Sequence, residues 1–370
     1  LKVITELRIK NFKSIKDESL RLSSLNLITG INSSGKSTLL QSILLLKQMN
    51  ASKTIISLNE HVVELGTIED ALHQFYRENK IEIGLTLNSK ESFLMSIDEP
   101  DKILQQDYAS IILDGNKSFL TRLLKKIKYL AAERMGAEFS YELGSNKNHL
   151  GKNGENTVSY IFENRNKNVS TKDLIHPNSK KAEGIEDNLL TNINEWMKEI
   201  SPGINLEFSS DQKIRASSMS AVYYSSTLFN KVTPKNFGFG ISYCLPIITL
   251  LLTSKKNDVI LIENPEAHIH PTGQTKLGYL CAIAAKAGIQ LIIESHSDHF
   301  FNGVRLALKD GIVKKTNLAI YYFDKKLEGE LSSQNLSTII SSVELHENGK
   351  IKSAPEGFFD EWQNSLFKLL

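Results

Sequence analysis

The chain has 370 residues, 44 basic and 42 acidic side chains and a formal net charge of +2, so no bulk field grips nucleic acid, although a local basic groove is compatible with that balance. Hydrophobic residues make up 41%, enough for a large core, and this excludes a wholly disordered chain. The length predicts two or three domain-sized units.

Cys244 and Cys281 are the only cysteines, which excludes a disulfide framework and fits a reducing compartment. The longest apolar stretch, Cys244 to Leu252, contains Pro246 and Thr249 and falls short of the roughly 20 residues of a spanning helix. No basic-then-apolar leader is read at the start, and Leu1 in place of Met reads as a processed or trimmed beginning. A soluble, cytoplasmic globular protein is expected, with no membrane partner.

In chain order, VITELRIKNF (3–12) alternates as a strand, with Leu7 and Ile9 on one face. LNLI (25–28) reads as a buried strand entering a turn at Thr29-Gly30, and Leu39, Leu40, Ile43, Leu44 and Leu46 keep helical spacing from Lys36 to about Met49. Four runs between 81 and 131 (IEIGLTL, FLMSI, ASIIL, KYLAA) predict an antiparallel layer beside the first strands. Residues 144 to 185, rich in Gly, Asn, Lys and Ser, read as loops, and a helix is predicted over 186–199, stopped by Pro202-Gly203. VILI (259–262), QLII (290–293) and LAIYYF (318–323) alternate with helices near 272–287 and 298–309, the pattern of a parallel sheet covered on both faces. Asn348-Gly349 predicts a tight hairpin between Ser341–Glu347 and Lys350–Ser353. No repeat period and no sustained heptads are present.

Residues 30–37, Gly-Ile-Asn-Ser-Ser-Gly-Lys-Ser, fit G-x-x-x-x-G-K-[ST] with no mismatch. Gly30 and Gly35 let the backbone curl so that the N–H groups around Asn32, Ser33 and Ser34 point at phosphate oxygens, and the following helix adds its positive end. Lys36 reaches the β- and γ-phosphates, Ser37 ligates Mg²⁺, and Thr38 donates to the α-phosphate. ATP with Mg²⁺ is the expected cofactor pair. The matching carboxylate is Glu263, which follows VILI at a strand end; it is read as metal-side and catalytic. The next position, where hydrolysis wants a base, holds Asn264, which takes no proton; Glu266 is the nearest substitute. Glu266, His268 and His270 also read as a transition-metal cluster, set against a structural role. Of the group 294–299 (ESHSDH), His296 is read as a γ-phosphate sensor, and Glu294, Asp298 and His299 as a rival two-metal nuclease centre.

With these in place, the chain resembles the ABC-class ATPases of the RecF, SMC and OLD kind. The matching stretches are IKNFKS (9–14), the phosphate loop, ENPEAHIHP (263–271), ESHS (294–297) and the glycine-rich run that opens at Asn236. The resemblance implies an α/β fold of the P-loop, ABC-ATPase head type, with a parallel core sheet, an antiparallel β-layer and a helical and loop insertion. Its parts are an N-terminal lobe 1–135, an insertion 136–232, a C-terminal lobe 233–325 with signature, acidic strand and switch histidine, and a hairpin and tail 326–370. It implies a head-to-tail dimer in which Gly238, Gly240 and Ser242 face the ATP of a second subunit. YLAAER (129–134), GKNGE (151–155) and PEGFFD (355–360) resemble stand-alone prokaryotic ATPases of antiphage operons of the Septu and OLD type. The insertion offers no long coiled coil, and too few residues follow the last sheet strand for an OLD nuclease domain.

The leading expectation is therefore an ATP-binding, slowly hydrolysing ATPase that closes as a homodimer or higher oligomer. It would sense or clamp DNA, or cage a separate effector such as a nuclease, in phage defence. The alternatives are a nuclease in its own right, a DNA-repair ATPase of the RecF type, a scaffold in which nucleotide only supports assembly, and a transporter subunit. DNA contact would fall on RLLKKIK (122–128) and SKK (179–181) and would be salt-dependent, although a solvated helix face explains the first equally.

Overall fold

Leu7 and Ile9, two residues apart, lie inside in β1 (Ile4–Phe12), and Ile4 and Phe12 are buried at its ends. The protein is described here by a computed structural model covering residues 4–49, 53–75, 78, 80–88, 91–98, 103–143, 149–181, 183–224, 229–236, 238–328 and 335–369. It divides into two units, one of Leu1–Lys128 with Lys315–Leu370 and one of Tyr129–Lys314.

In the first unit β1 turns into β2 (Ile15–Arg21) through Asn11 and Lys13, both left-handed (φ 56° and 52°). Asn11, fully buried, holds this corner: its amide donates to the carbonyls of Glu78 and Lys80, and its oxygen accepts from the His73 N–H. β3 (Leu25–Gly30) leads through the phosphate loop into α1 (Lys36–Gln48). There follow β4 (Ile55–Ser57), α2 (Ile68–Ala71), β5 (Lys80–Leu87), β6 (Ser92–Asp98), β7 (Tyr108–Asp114), α3 (Lys117–Leu124) and β8 (Ile127–Leu130). The expected antiparallel layer is present in the order β2-β1-β5-β6-β7-β4. The KYLAA run is a correction: it forms β8, outside that layer. The basic run 122–128 is divided among α3, a turn and β8; α3 buries Leu120, Leu123 and Leu124 and leaves Arg122 exposed.

The second unit begins at Tyr129, in β8, and contains β9 (Tyr141–Glu142), α4 (Thr157–Asn164), α5 (Leu189–Ile200), β10 (Ile204–Asp211), β11 (Ala216–Tyr224) and β12 (Phe229–Val232). α6 (Phe239–Thr253), β13 (Val259–Glu263), α7 (Pro271–Lys286), β14 (Gln290–Glu294) and α8 (Asp298–Lys309) complete it. Two features went unread in the sequence. α4 lies within the stretch expected to be loops, where Val158 and Ile161 supply its buried face. An antiparallel sheet, β10-β11-β12 with β9 on β11, occupies 204–232. β13 and β14 pair in parallel with Glu263 opposite Glu294, so both strands end in an acid at the same edge.

The chain then returns to the first unit as β15 (Leu318–Glu328), β16 (Asn335–Ser342), β17 (Glu344–Leu345), β18 (Ile351–Ser353) and α9 (Glu361–Leu369). β15 runs parallel to β3, with Phe323 opposite Gly30, and antiparallel to β16. The expected hairpin is present but shorter, since Ser341 and Ser342 belong to β16; Gly349 is left-handed in its turn. Among the described residues, no helix is long and apolar enough to cross a membrane.

Candidate nucleotide site

The phosphate loop is built on the first unit's parallel pair. Gly30 has φ 142°, and a Cβ there would lie 2.0 Å from the Phe323 carbonyl oxygen of β15. Gly35 has φ 99°, and its Cβ would lie 2.4 Å from Ser14 Oγ and 2.9 Å from Thr338 Oγ1. Gly30 is demanded by both backbone angle and space, since its neighbours are backbone atoms, and Gly35 chiefly by its backbone angle, since its near neighbours are side-chain oxygens. The loop is clamped by hydrogen bonds: Ile31 N–H donates to Phe323 O (3.1 Å), Thr338 Oγ1 to Ser34 O (2.9 Å) and Ser34 Oγ to Ile31 O (2.7 Å). Ser14, from the β1–β2 corner, lies 3.3 Å from Thr38 Oγ1.

Asn32 and Ser33 are exposed on the rim, Ser37 is half-buried, and Ser34, Lys36 and Thr38 are buried. Lys36 Nζ donates to Gly30 O (3.1 Å) and Ile31 O (2.5 Å), so a buried ammonium sits within the curl. Ser33 is left-handed (φ 59°), and the N-cap of α1 is Gly35, which has no side chain to cap the helix. Amide donors, a buried cation and a hydroxyl at the helix start form a donor set that suits a triphosphate with a hard divalent cation. The residues therefore fit ATP and Mg²⁺. Lys36 and the loop amides would hold phosphate, and Ser37 would hold the metal, which supplies charge neutralisation when bound.

The acidic turn is in the second unit. Glu263 Oε1 accepts from the Tyr129 hydroxyl (2.9 Å). Burial holds the Glu263 carboxyl above its usual range, against the lowering effect of Tyr129, the Ala132 N–H and Arg134. Burial, then the nearby Glu263 charge, pushes the Tyr129 phenol up. Asn264 is left-handed (φ 44°), a conformation asparagine tolerates better than most residues. Its N–H donates to Glu294 O (2.9 Å), while its Oδ1 is buried and finds no hydrogen-bond partner among the described residues. Both Glu266 oxygens are engaged: Oε1 accepts the His296 N–H (2.6 Å) and Oε2 the Ser295 hydroxyl (2.8 Å). Burial raises this carboxyl too. Glu266 is thus tied to His296, whose residue is exposed, through the backbone of the loop after β14.

The three glycine-run candidates separate by exposure. Gly238 (φ 89°) is exposed at the start of α6, and a Cβ there would meet nothing within 4 Å. Gly240 packs inward, where a Cβ would lie 2.5 Å from His268 O, and Ser242 is buried. The rival metal centres are not gathered. His270 Nδ1 accepts the Thr272 N–H and caps α7; the His268 ring lies 4.5 Å from the Tyr243 ring; and His299 pairs with the adjacent Asp298 (3.6 Å). Among the described residues, no three His, Cys, Asp or Glu side chains converge on a metal position. Sequence reasoning named no role for Ser14, Tyr129, Arg134, Ser295 or Thr338. The first four lie in stretches that carried the resemblance, but Thr338 is 304 residues from its partner Ser34 and gave no signal.

A phosphate loop on parallel strands with an acid-ended strand defines a P-loop ATPase of mixed α/β fold. Residues 25–302 match the family described as AAA domain, putative AbiEii toxin, Type IV TA system, and the chain belongs to that family. Residues 313–369 match a second family, described as a protein of unknown function (DUF3696). No curated protein gives a significant match. Among solved structures, the Smc head domain with an extended coiled coil, bound to the C-terminal domain of ScpA and derived from Pyrococcus furiosus, is similar. It is 13% identical, with 100% of each chain covered and a TM-score of 0.54. An SmcHead bound to the C-winged helix domain of ScpA is 13% identical, with 92% of this chain and 97% of that one covered and a TM-score of 0.50. These likenesses show the fold, that of an SMC-type ATPase head.

Proposed function

We propose that this chain binds ATP with Mg²⁺ and hydrolyses it slowly, and that nucleotide drives it into a homodimer or higher oligomer that regulates a separate effector in phage defence. The carrying observation is the buried Lys36 ammonium inside a curl whose two glycines hold left-handed backbone and whose first admits no Cβ. Within this reading Ser37 and Glu263 serve the metal, and His296 senses the γ-phosphate. Gly238 is the member of its run that faces the nucleotide of a second copy, because it alone of the three is exposed. Slow turnover is supported by Asn264, which takes no proton, and by Glu266, whose two oxygens already accept hydrogen bonds. A partner protein is supported by the ScpA domains bound to both similar heads. The defence setting rests on the family description's putative toxin. DNA as a further ligand rests only on the divided basic runs.

Size-exclusion chromatography with light scattering tests this reading. ATP with Mg²⁺ should shift the wild-type chain to a larger species, and Lys36→Ala should abolish both the shift and nucleotide binding. A wild-type chain that binds ATP without any shift refutes the assembly.

A further inference from the structure

No role assigned so far uses Arg134. The residue is 4% exposed, and burial pulls its guanidinium down to about 10. A buried cation persists only where its surroundings compensate it. Here the charges of Glu266 and Glu263 help, and the hydrogen-bond acceptors are main-chain carbonyls: Nη1 donates to Ala131 O (2.9 Å) and Glu263 O (2.8 Å), and Nη2 donates to Asn264 O. The guanidinium therefore grips two consecutive carbonyls where β13 ends in its acid. Nε, also buried, finds no hydrogen-bond partner among the described residues, a cost that structure alone does not explain.

The other contacts of this segment lead to α6. The guanidinium carbon lies 5.7 Å from the centroid of the Tyr243 ring, and that ring meets His268 edge-on at 4.5 Å. Gly240, one turn earlier, lets α6 approach His268 O directly. The irregular segment carrying Arg134 is strapped to the GKNG loop, because Ala131 N–H donates to Lys152 O and Met135 N–H to Asn153 O. That loop rests on α6, where a Cβ on Gly154 would lie 2.7 Å from Pro246 Cγ.

We infer that Arg134 is a positioning residue that couples α6 to the Glu263–Asn264 turn, so that a shift of the glycine end of α6 is passed through Tyr243 and the guanidinium to the acidic turn. The assignment of the turn to hydrolysis rests on the function proposed above; the coupling itself does not. Lysine in place of Arg134 keeps the charge but loses the planar fork that bonds several carbonyls at once.

Arg134→Lys, Arg134→Ala, Tyr243→Ala and the Arg134→Lys/Tyr243→Ala pair test the inference through nucleotide binding, turnover and amide exchange. Titration with a fluorescent ATP analogue should give a Kd within about threefold of wild type for Arg134→Lys and Tyr243→Ala, while kcat falls roughly tenfold to a hundredfold, as expected when a reacting turn is displaced. Hydrogen exchange across 260–270 should quicken about tenfold in both, without quickening across α1, and the double variant should fall no further than either single one. Arg134→Lys with wild-type exchange in that stretch overturns the inference, as does additivity of the two single variants. The exchange result stands whether or not the wild-type chain hydrolyses ATP, so loss of the proposed function and loss of the coupling are read separately. Should Arg134→Ala fail to fold, the other variants carry the test.

Discussion

Replacing Gly30 by alanine separates two reasons for a glycine at the entrance of the phosphate loop. The first is backbone strain: φ 142° is a region open to glycine, and an L side chain there costs ~1–3 kcal/mol. The second is space. The added methyl lies 2.0 Å from Phe323 O and 2.7 Å from Phe323 N, both backbone atoms of β15, which no side-chain rotation relieves. Relief needs β15 to retreat from β3, and this breaks the Ile31 N–H bond to Phe323 O; overpacking and the lost bond add ~2–4 kcal/mol. The combined loss, about 3–7 kcal/mol, approaches the whole stability of a marginal domain. Gly311 supplies the comparison, since its φ is 70° and a Cβ would meet nothing within 4 Å, so alanine there costs strain alone, ~1–2 kcal/mol. Urea unfolding followed by far-ultraviolet circular dichroism should give a midpoint for Gly30→Ala well below that of Gly311→Ala. Equal midpoints would refute the close-approach argument and leave only strain.

Glu266→Gln should change how stability depends on pH. The Glu266 carboxyl is raised by burial, so its favourable contribution is complete below the unfolded value near 4.5 and is lost as pH rises through the folded value. Measured as a Tm difference, the variant should therefore gain on the wild type as pH rises above about 4.5, whatever its constant offset from the lost acceptor; parallel curves would contradict the burial effect. Asn264→Asp keeps the left-handed backbone that asparagine and aspartate share and supplies a proton acceptor after Glu263. Steady-state turnover should rise about tenfold or more if the missing carboxylate limits hydrolysis, and an unchanged rate would locate the limit elsewhere.

What the sequence determined by itself is local. The phosphate loop, the helix after it, the acid-ended β13 and the helices α7 and α8 were all legible, because glycine spacing, continuous apolar runs and helical periodicity are written over a few adjacent residues. Asn264 was recognised as a proton-incompetent residue from its position alone. The tertiary structure decided what depends on distant pairing. KYLAA has the composition of the neighbouring antiparallel strands, yet it lies outside their layer and carries Tyr129 to Glu263. Thr338 became part of the phosphate loop only because β16 lies beside β15, which pairs with β3. Glu266, read as the nearest substitute for the missing base, is an acceptor for Ser295 and His296, since the loop after β14 reaches it. The near-neutral charge concealed a buried guanidinium whose partners are backbone carbonyls; carbonyls belong to every residue, so no sequence pattern announces them.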